Sequence, residues 1–314
     1  MAKLNNLTIT VFGGTGFLGR HLVKYLCETE CLVQIPTRNV AKSYFLQTSG
    51  DVGQITSIPC NFSNSQDINK VIKNSDIVIN LIGILNEKRK GEFDYVHFDI
   101  VKKIIDSCNL LKVKKLIHLS AIGSEENKNS LYAQSKLKAE RYILKNLKNS
   151  YIIRPSIIFG PEDNFFNLFA KMSLFSPILP LIMGGKTKFQ PVYVEDVCSG
   201  IVEIIKKDNI KKYIYEFGGP DVYSFKELLQ IILKVINRKR FLLYIPKFIA
   251  VPMAKILSLL PYPLLTLDQL KLLEKDNVVS KKHLTFKDLN IKPVSLEIVI
   301  EDYLKRFTKK RLSF

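Results

Sequence analysis

The 314-residue chain has no tryptophan and only four histidines. No histidine is spaced with a second ligand, so no metal site is expected. The five cysteines, Cys27, Cys31, Cys60, Cys108 and Cys198, are odd in number and scattered. None forms a CxxC pair, which excludes a disulfide framework and a cysteine zinc site and indicates reduced thiols. No apolar stretch reaches the ~20 residues of a membrane-spanning helix before Pro or Lys breaks it. Acids are also scarce: 29 Asp and Glu stand against 47 Lys and Arg, a net charge of +18. That balance suits anionic partners such as nucleotide phosphates, an acidic protein surface or anionic lipid. A genome rich in Lys, Ile and Asn codons gives the same balance. No DNA- or RNA-binding motif accompanies the charge, so nucleic acid is not an expected partner. The first strand starts within a few residues of Met1, leaving no room for a signal or transit peptide. The chain is expected to be cytoplasmic, either soluble or peripheral on a membrane. Hydrophobic residues make up 46%, enough for a sizeable core.

What is present begins with one stretch. Leu7 to Phe12 is an apolar run that reads as a buried strand. It passes into Gly13-Gly14-Thr15-Gly16-Phe17-Leu18-Gly19 and then into an amphipathic helix from about Phe17 to Cys27. A glycine-rich turn between strand and helix places backbone N–H groups around a pyrophosphate, and the helix N-terminus adds partial positive charge. Gly13 permits the tight turn, Gly16 lets the backbone approach phosphate, and Gly19 lets helix and strand pack closely. The spacing is GxxGxxG, and three glycines also serve ordinary loops. The legible strand and helix on either side favour dinucleotide binding.

Cys31 to Pro36 reads as a second strand, and no acid ends it. An acid there usually takes the ribose hydroxyls of NAD; Arg38 stands instead where a 2′-phosphate would lie, which favours NADP(H) over NAD(H). Ile55 to Phe62 is a third strand, with Asn61 placed to meet adenine. Asp76 to Gly83 is a fourth, nearly all apolar, as a strand covered on both faces should be. Asp94 to Leu111 is helical, and His97 on it reads as a packing or surface histidine. Lys115 to Gly123 is a fifth strand and its exit, with His118 inside the core.

Tyr132 and Lys136 lie four apart at the start of a helix, on one face. A neighbouring ammonium is expected to lower the phenol's pKa towards neutrality and make it a usable proton donor or acceptor. Ser150 to Pro155 is a sixth strand. Phe189 to Val194 reads as a short strand, Glu195-Asp196 as a helix start, and Tyr213 to Phe217 as a further strand. Ser224 and Glu227 have capping-box spacing before the apolar helix Leu228 to Ile236. Phe241 to Leu267 is apolar and broken by prolines. It reads as a kinked, core-facing helical segment or as a surface for a partner or bilayer. The tail from Lys305 to Arg311 is basic and reads as a solvated end.

Strands alternating with helices behind a glycine-rich turn imply an α/β, Rossmann-type, doubly wound parallel sheet. A smaller, mostly helical C-terminal domain is expected beside it. The expected division is 1–163 plus 190–217 for nucleotide binding, and 164–189 plus 218–314 for substrate or partner.

GGTGFLG at 13–19, YAQSK at 132–136, RPSIIFGP at 154–161 and PVYVEDV at 191–197 resemble the extended short-chain dehydrogenase/reductase superfamily. HLSAIG at 118–123, YEFGGPDVYSFKELL and LTLDQLKLLEKDNVVS at 265–280 narrow the resemblance to one atypical branch. That branch is the NAD(P)H-binding accessory subunit of respiratory complex I, NADH:ubiquinone oxidoreductase, and its bacterial relatives. The resemblance implies that Gly13, Thr15, Gly16, Phe17, Leu18 and Gly19 cradle the pyrophosphate and that Arg38 reads the 2′-phosphate. It implies that Asn61, Leu81, Gly83, Ser120 and Pro155 line the cofactor, and that Tyr132 and Lys136 meet the nicotinamide ribose. The family's catalytic Ser or Thr falls two residues beyond Ser120, on Ile122, which has no hydroxyl. The resemblance therefore implies a non-catalytic or weakly catalytic subunit or assembly factor. It would dock on peripheral-arm subunits of complex I, at the inner face of the energy-transducing membrane. The intact Tyr132–Lys136 pair keeps a second reading open. That reading is a free-standing NADP-dependent reductase or epimerase/dehydratase for a sugar nucleotide, quinone or other small carbonyl compound.

Overall fold

A computed structural model describes residues 4–5, 7–207, 212–258 and 265–308. The chain alternates as the sequence implies. β1 (Thr8–Phe12) leads to α1 (Phe17–Cys27), and β2 (Leu32–Thr37) to β3 (Ile55–Pro59) through a 3₁₀ segment. α2 (Ser65–Ile72), β4 (Ile77–Asn80), β5 (Lys115–Leu119) and β6 (Ser150–Pro155) follow. With the strand Lys212–Phe217 at one edge they form a seven-stranded sheet, ordered 212–217, β6, β5, β4, β1, β2, β3. Every neighbouring pair is parallel. The order reverses between β1 and β4, so a crevice opens there beyond the strands' C-terminal ends.

Both faces of the sheet are covered, which is why its strands are nearly all apolar. On one face α1 and the helix Val194–Lys206 bury Leu22, Leu26, Val197 and Ile201 against Ile9, Ile117 and Ile153. On the other, Ile68 and Ile72 of α2 and Ile104 and Ala139 of two further helices meet Phe12, Val78, Leu116 and Ile152. Lys115 closes the first face. Its Nζ donates to the carbonyls of Ile204, Ile205 and Lys207 at the C-terminal end of the helix, where a cation offsets the helix dipole.

A third core lies beyond the crevice. Phe159 of the strand Ile158–Phe159 gathers there with Phe166, Leu228, Ile232, Leu296 and Ile300 from helices Phe166–Phe175, Phe225–Val235 and Leu296–Leu304. The Ser224–Glu227 capping box forms as its spacing predicts. Two expectations need correction. Phe189 to Val194 is not one strand: Lys188–Phe189 pairs antiparallel with Tyr223–Ser224, and Val192–Tyr193 pairs with Ile158–Phe159. Pro191 separates them and brings no N–H to a ladder. The segment from Phe241 is not a kinked helix throughout. Phe241–Ile245 is a strand, parallel to Ile178–Ile182, and the helix Lys247–Leu257 follows with Pro252 inside it. Much of this segment is solvent-exposed, with Phe241 at 79% and Phe248 at 78%. Residues 259–264 and the basic tail beyond Thr308 lie outside the described residues.

Candidate functional site

The sequence-predicted residues fall along the C-terminal edge of the sheet. Gly13 ends β1 at φ +82°, a conformation costly for any residue with a Cβ. Gly16 caps α1 without a side-chain bond and is exposed. The first-turn amides of α1 therefore have no capping side chain and remain for an anion. A Cβ on Gly16 would meet only the Gly13 carbonyl oxygen, at 3.3 Å, whereas one on Gly19 would come within 2.2 Å of that same oxygen. Gly19 thus lets helix pack on turn, and Gly16 leaves room for a ligand. Leu18 is buried in the core, so only its backbone faces the turn. Thr15 and Phe17 are half-buried beside it.

Arg38 follows β2 on the surface, and Asn61 follows β3. The two line one cleft with Pro59, Cys60 and Asp67. Asn61 is held by its backbone N–H donating to Asp67 and by its side chain accepting from Ser63 N. Leu81 and Gly83 follow β4; Leu81 N–H donates to the Phe12 carbonyl, which sets this chain beside the glycine turn. Pro155 ends β6, buried.

Tyr132 and Lys136 lie on the helix Leu131–Asn146. Lys136 Nζ is buried and donates to the Leu119 carbonyl at 3.0 Å. Burial lowers its pKa to about 8. A Cβ on Gly83 would stand 3.1 Å from that nitrogen, so the bare backbone at Gly83 is what admits it. The expected lowering of the Tyr132 phenol is not found. Burial and the Asp268 carboxylate push its pKa up to about 12. The helical spacing puts both residues on one face, but the ammonium turns to the end of β5 and an acid from the C-terminal segment approaches the tyrosine.

Three further groups stand on this edge: His97, which the sequence presents as a packing or surface histidine, and Asp268 and Asn277, to which it gives no role. His97 is fully buried. Its Nε2 accepts from Ile84 N–H at 3.0 Å and its Nδ1 pairs with Ser135 Oγ at 2.9 Å. Burial, with Lys136 and His118 nearby, lowers its pKa to about 2. Asp268 accepts from Ser130 Oγ at 2.7 Å and from the N–H groups of Leu131 and Tyr132 at 2.7 and 3.1 Å. Asn277 accepts from Ser156 Oγ at 2.6 Å and donates to the Ile122 carbonyl at 3.3 Å. Asp268 and Asn277 belong to the stretch that carried the narrower resemblance, but nothing in local spacing says that they fold back 136 and 155 residues.

The residues present fit a dinucleotide. Ser120 Oγ and His118 Nε2 are buried without a hydrogen-bond partner among the described residues, a costly state that a polar ligand or water relieves. His118 Nδ1 accepts from the Asn80 amide at 3.1 Å, which leaves the proton on Nε2 as an unused donor. Ile122 takes the position where the resemblance expects a hydroxyl, 5% exposed, with its N–H donating to the Pro155 carbonyl. Among the described residues no cluster of His, Cys, Asp and Glu is arranged for a metal.

A seven-stranded parallel sheet, a glycine turn at its switch point and a Tyr–Lys helix beyond β5 define a short-chain dehydrogenase/reductase-type scaffold. The 3-beta hydroxysteroid dehydrogenase/isomerase family matches residues 10–212. The chain is 32% identical over 320 residues to the NADH dehydrogenase [ubiquinone] 1 alpha subcomplex subunit 9 of Arabidopsis thaliana, covering 98% of this chain and 80% of the relative. It is 30% identical to the NADH-ubiquinone oxidoreductase 40 kDa subunit of Neurospora crassa, covering 98% and 81%. Among solved structures, UDP-glucuronic acid 4-epimerase from Bacillus cereus, in complex with UDP-glucuronic acid and NAD, superposes with a TM-score of 0.72 at 18% identity, over 96% of this chain and 99% of the epimerase. The chain belongs to the 3-beta hydroxysteroid dehydrogenase/isomerase family and, over nearly its whole length, to the family of these complex I subunits. The epimerase likeness shows the fold alone.

Proposed function

We propose that this protein is an NADP(H)-holding accessory subunit or assembly factor of NADH:ubiquinone oxidoreductase, with little or no turnover of its own. The observation that carries the reading is the C-terminal stretch 265–280. It ties Asp268 to the start of the Tyr132–Lys136 helix and Asn277 to Ile122, so the stretch that marks the complex I branch is built into the nucleotide edge. In this reading the amides of residues 16–19 hold the pyrophosphate, Arg38 the 2′-phosphate and Asn61 the adenine. Leu81, Gly83, Ser120, Pro155, Tyr132 and Lys136 surround the nicotinamide ribose. Bound nicotinamide is a hydride donor or acceptor. Ile122 offers no proton or hydrogen bond to a carbonyl beside it, and a phenol pushed up to about 12 is a poor base near neutrality.

The nucleotide then stabilises the folded subunit by mass action. Division into 1–163 plus 190–217 and 164–189 plus 218–314 gives one unit to nucleotide and the other to contact. The exposed Phe241, Tyr244, Phe248 and Ile256 belong to the second unit and suit a peripheral-arm partner beside the membrane. No helix among the described residues is long and apolar enough to cross a membrane. The test is to purify the protein and identify the nucleotide released on denaturation. NADP(H) is expected, retained unoxidised beside added quinones and ketones. Rapid oxidation that Tyr132→Phe abolishes would show a working reductase instead.

A further inference from the structure

His97 is buried, and its two ring nitrogens join the loop after β4 to the helix carrying Tyr132 and Lys136. Ile84 N–H can only donate, so His97 Nε2 is the acceptor and the proton sits on Nδ1. Nδ1–H then donates to Ser135 Oγ, and Ser135 Oγ–H donates to the Tyr132 carbonyl at 2.8 Å. One direction of donation satisfies the whole chain, from loop to imidazole to hydroxyl to helix backbone. The ring is also fixed on its faces. It stacks on Phe93, with centroids 5.4 Å apart, and stands perpendicular to Tyr132 at 5.2 Å. Phe93 in turn meets Tyr132 edge-on at 5.7 Å. The turn that delivers His97 is irregular: Tyr95–Asp99 is π-helical before the α-helix Ile100–Leu110. A π turn costs hydrogen-bond geometry and recurs where a side chain must be aimed at a site. A Cβ on Gly83 would lie 3.6 Å from His97 Nε2 and 3.1 Å from Lys136 Nζ, so imidazole and ammonium flank the same bare backbone.

We propose that His97 is a positioning residue for the nicotinamide-ribose half of the nucleotide site, holding the Gly83–Ile84 backbone and the Tyr132–Lys136 helix in register. This deepens the nucleotide reading above and rests on it. His97 touches no part of the glycine turn, of Arg38 or of Asn61 in any described contact. Its loss therefore acts on one half of the ligand. Adenosine 2′,5′-bisphosphate carries the other half alone, which separates positioning from general damage.

The experiment is calorimetric titration of full-length wild type, His97→Ala and Ser135→Ala with NADPH and with adenosine 2′,5′-bisphosphate. Wild type binds both. His97→Ala weakens NADPH about tenfold or more and leaves the bisphosphate within about twofold, since a pre-built pocket contributes chiefly by avoided ordering cost. Ser135→Ala cuts the same chain with one buried hydroxyl removed, and gives a smaller loss in the same direction. It decides the matter if His97→Ala does not fold. Equal loss of both ligands in a folded variant, or no loss of NADPH, overturns the positioning role while the nucleotide reading stands. A wild type that binds neither ligand overturns both.

Discussion

The carboxylate of Asp268 accepts a hydrogen bond from the backbone N–H of Tyr132 at 3.1 Å, across 136 residues of chain. It takes the Leu131 N–H and the Ser130 hydroxyl as well. Three donors at a helix N-terminus converge on one acid, where negative charge offsets the helix dipole. Ser130 still caps the helix by accepting from Ala133 N–H, so Asp268 adds to the cap and does not replace it. The nucleotide edge and the C-terminal segment are thereby one piece.

Asp268→Ala should therefore cost about 1–2 kcal/mol of stability, by loss of charge-assisted bonds to two amides and a hydroxyl. Asp268→Asn, which keeps an acceptor without the charge, should cost less. Urea unfolding of the three proteins checks this. An unchanged midpoint in Asp268→Ala would show the contact to be ornamental.

Arg38→Ala should weaken NADPH by roughly one to two decades and leave NADH nearly unchanged, because only the former offers a 2′-phosphate to the guanidinium. Titration of both nucleotides into both proteins decides it. Asp67 shares the cleft with Arg38. Equal affinities in the wild type would mean that Arg38 does not read the phosphate.

Gly16 and Gly19 should separate binding from folding. A Cβ on Gly19 has backbone within 2.2 Å and must displace helix or turn, so Gly19→Ala should destabilise by about 1–3 kcal/mol. Gly16 faces open space apart from one carbonyl, so Gly16→Val should fold near normally and bind no dinucleotide. Thermal unfolding with and without NADPH reads both, and a Gly16→Val protein that NADPH still stabilises would contradict the assignment.

The buried histidines predict the response to pH. Burial holds His97 and His118 well below the ordinary imidazole value of about 6.5. Their folded values are depressed, so their contribution is present above about 6.5 and is lost as pH falls, because only the unfolded chain takes up the proton. The slope is about 1.4 kcal/mol per pH unit for each such group. Asp196 acts oppositely: burial raises its carboxyl to about 6, so stability from it grows as pH falls below that value. Unfolding free energies between pH 7.5 and 6 should therefore fall on acidification, and His97→Gln should make that fall shallower. A flat profile in the wild type would show that these rings open to solvent.

The sheet was legible because each strand is an apolar run between turn signals, and the helix Phe17–Cys27 because its period and its glycine turn agree. The strand Phe241–Ile245 was not, since five apolar residues beside prolines carry no period that separates strand from helix. That the glycine turn at 13–19 joins a strand to a helix, and that Tyr132 and Lys136 share a helix beyond the fifth strand, was legible in the sequence. The direction of the Tyr132 shift was not, because it depends on burial and on an acid from the far end of the chain. His97 was read as a packing or surface histidine, because a lone histidine among apolar residues looks the same whether or not it links two elements of a site.

Service as a part of NADH:ubiquinone oxidoreductase would show in what the chain associates with in the cell. The most direct test is native size fractionation of mildly solubilised membranes, with mass-spectrometric identification of what co-migrates with the chain. The wild-type chain should run with subunits of that complex, and Gly16→Val should not. A wild-type chain that runs alone at its own size, with the complex intact in cells lacking it, would mean that the protein is no part of the complex.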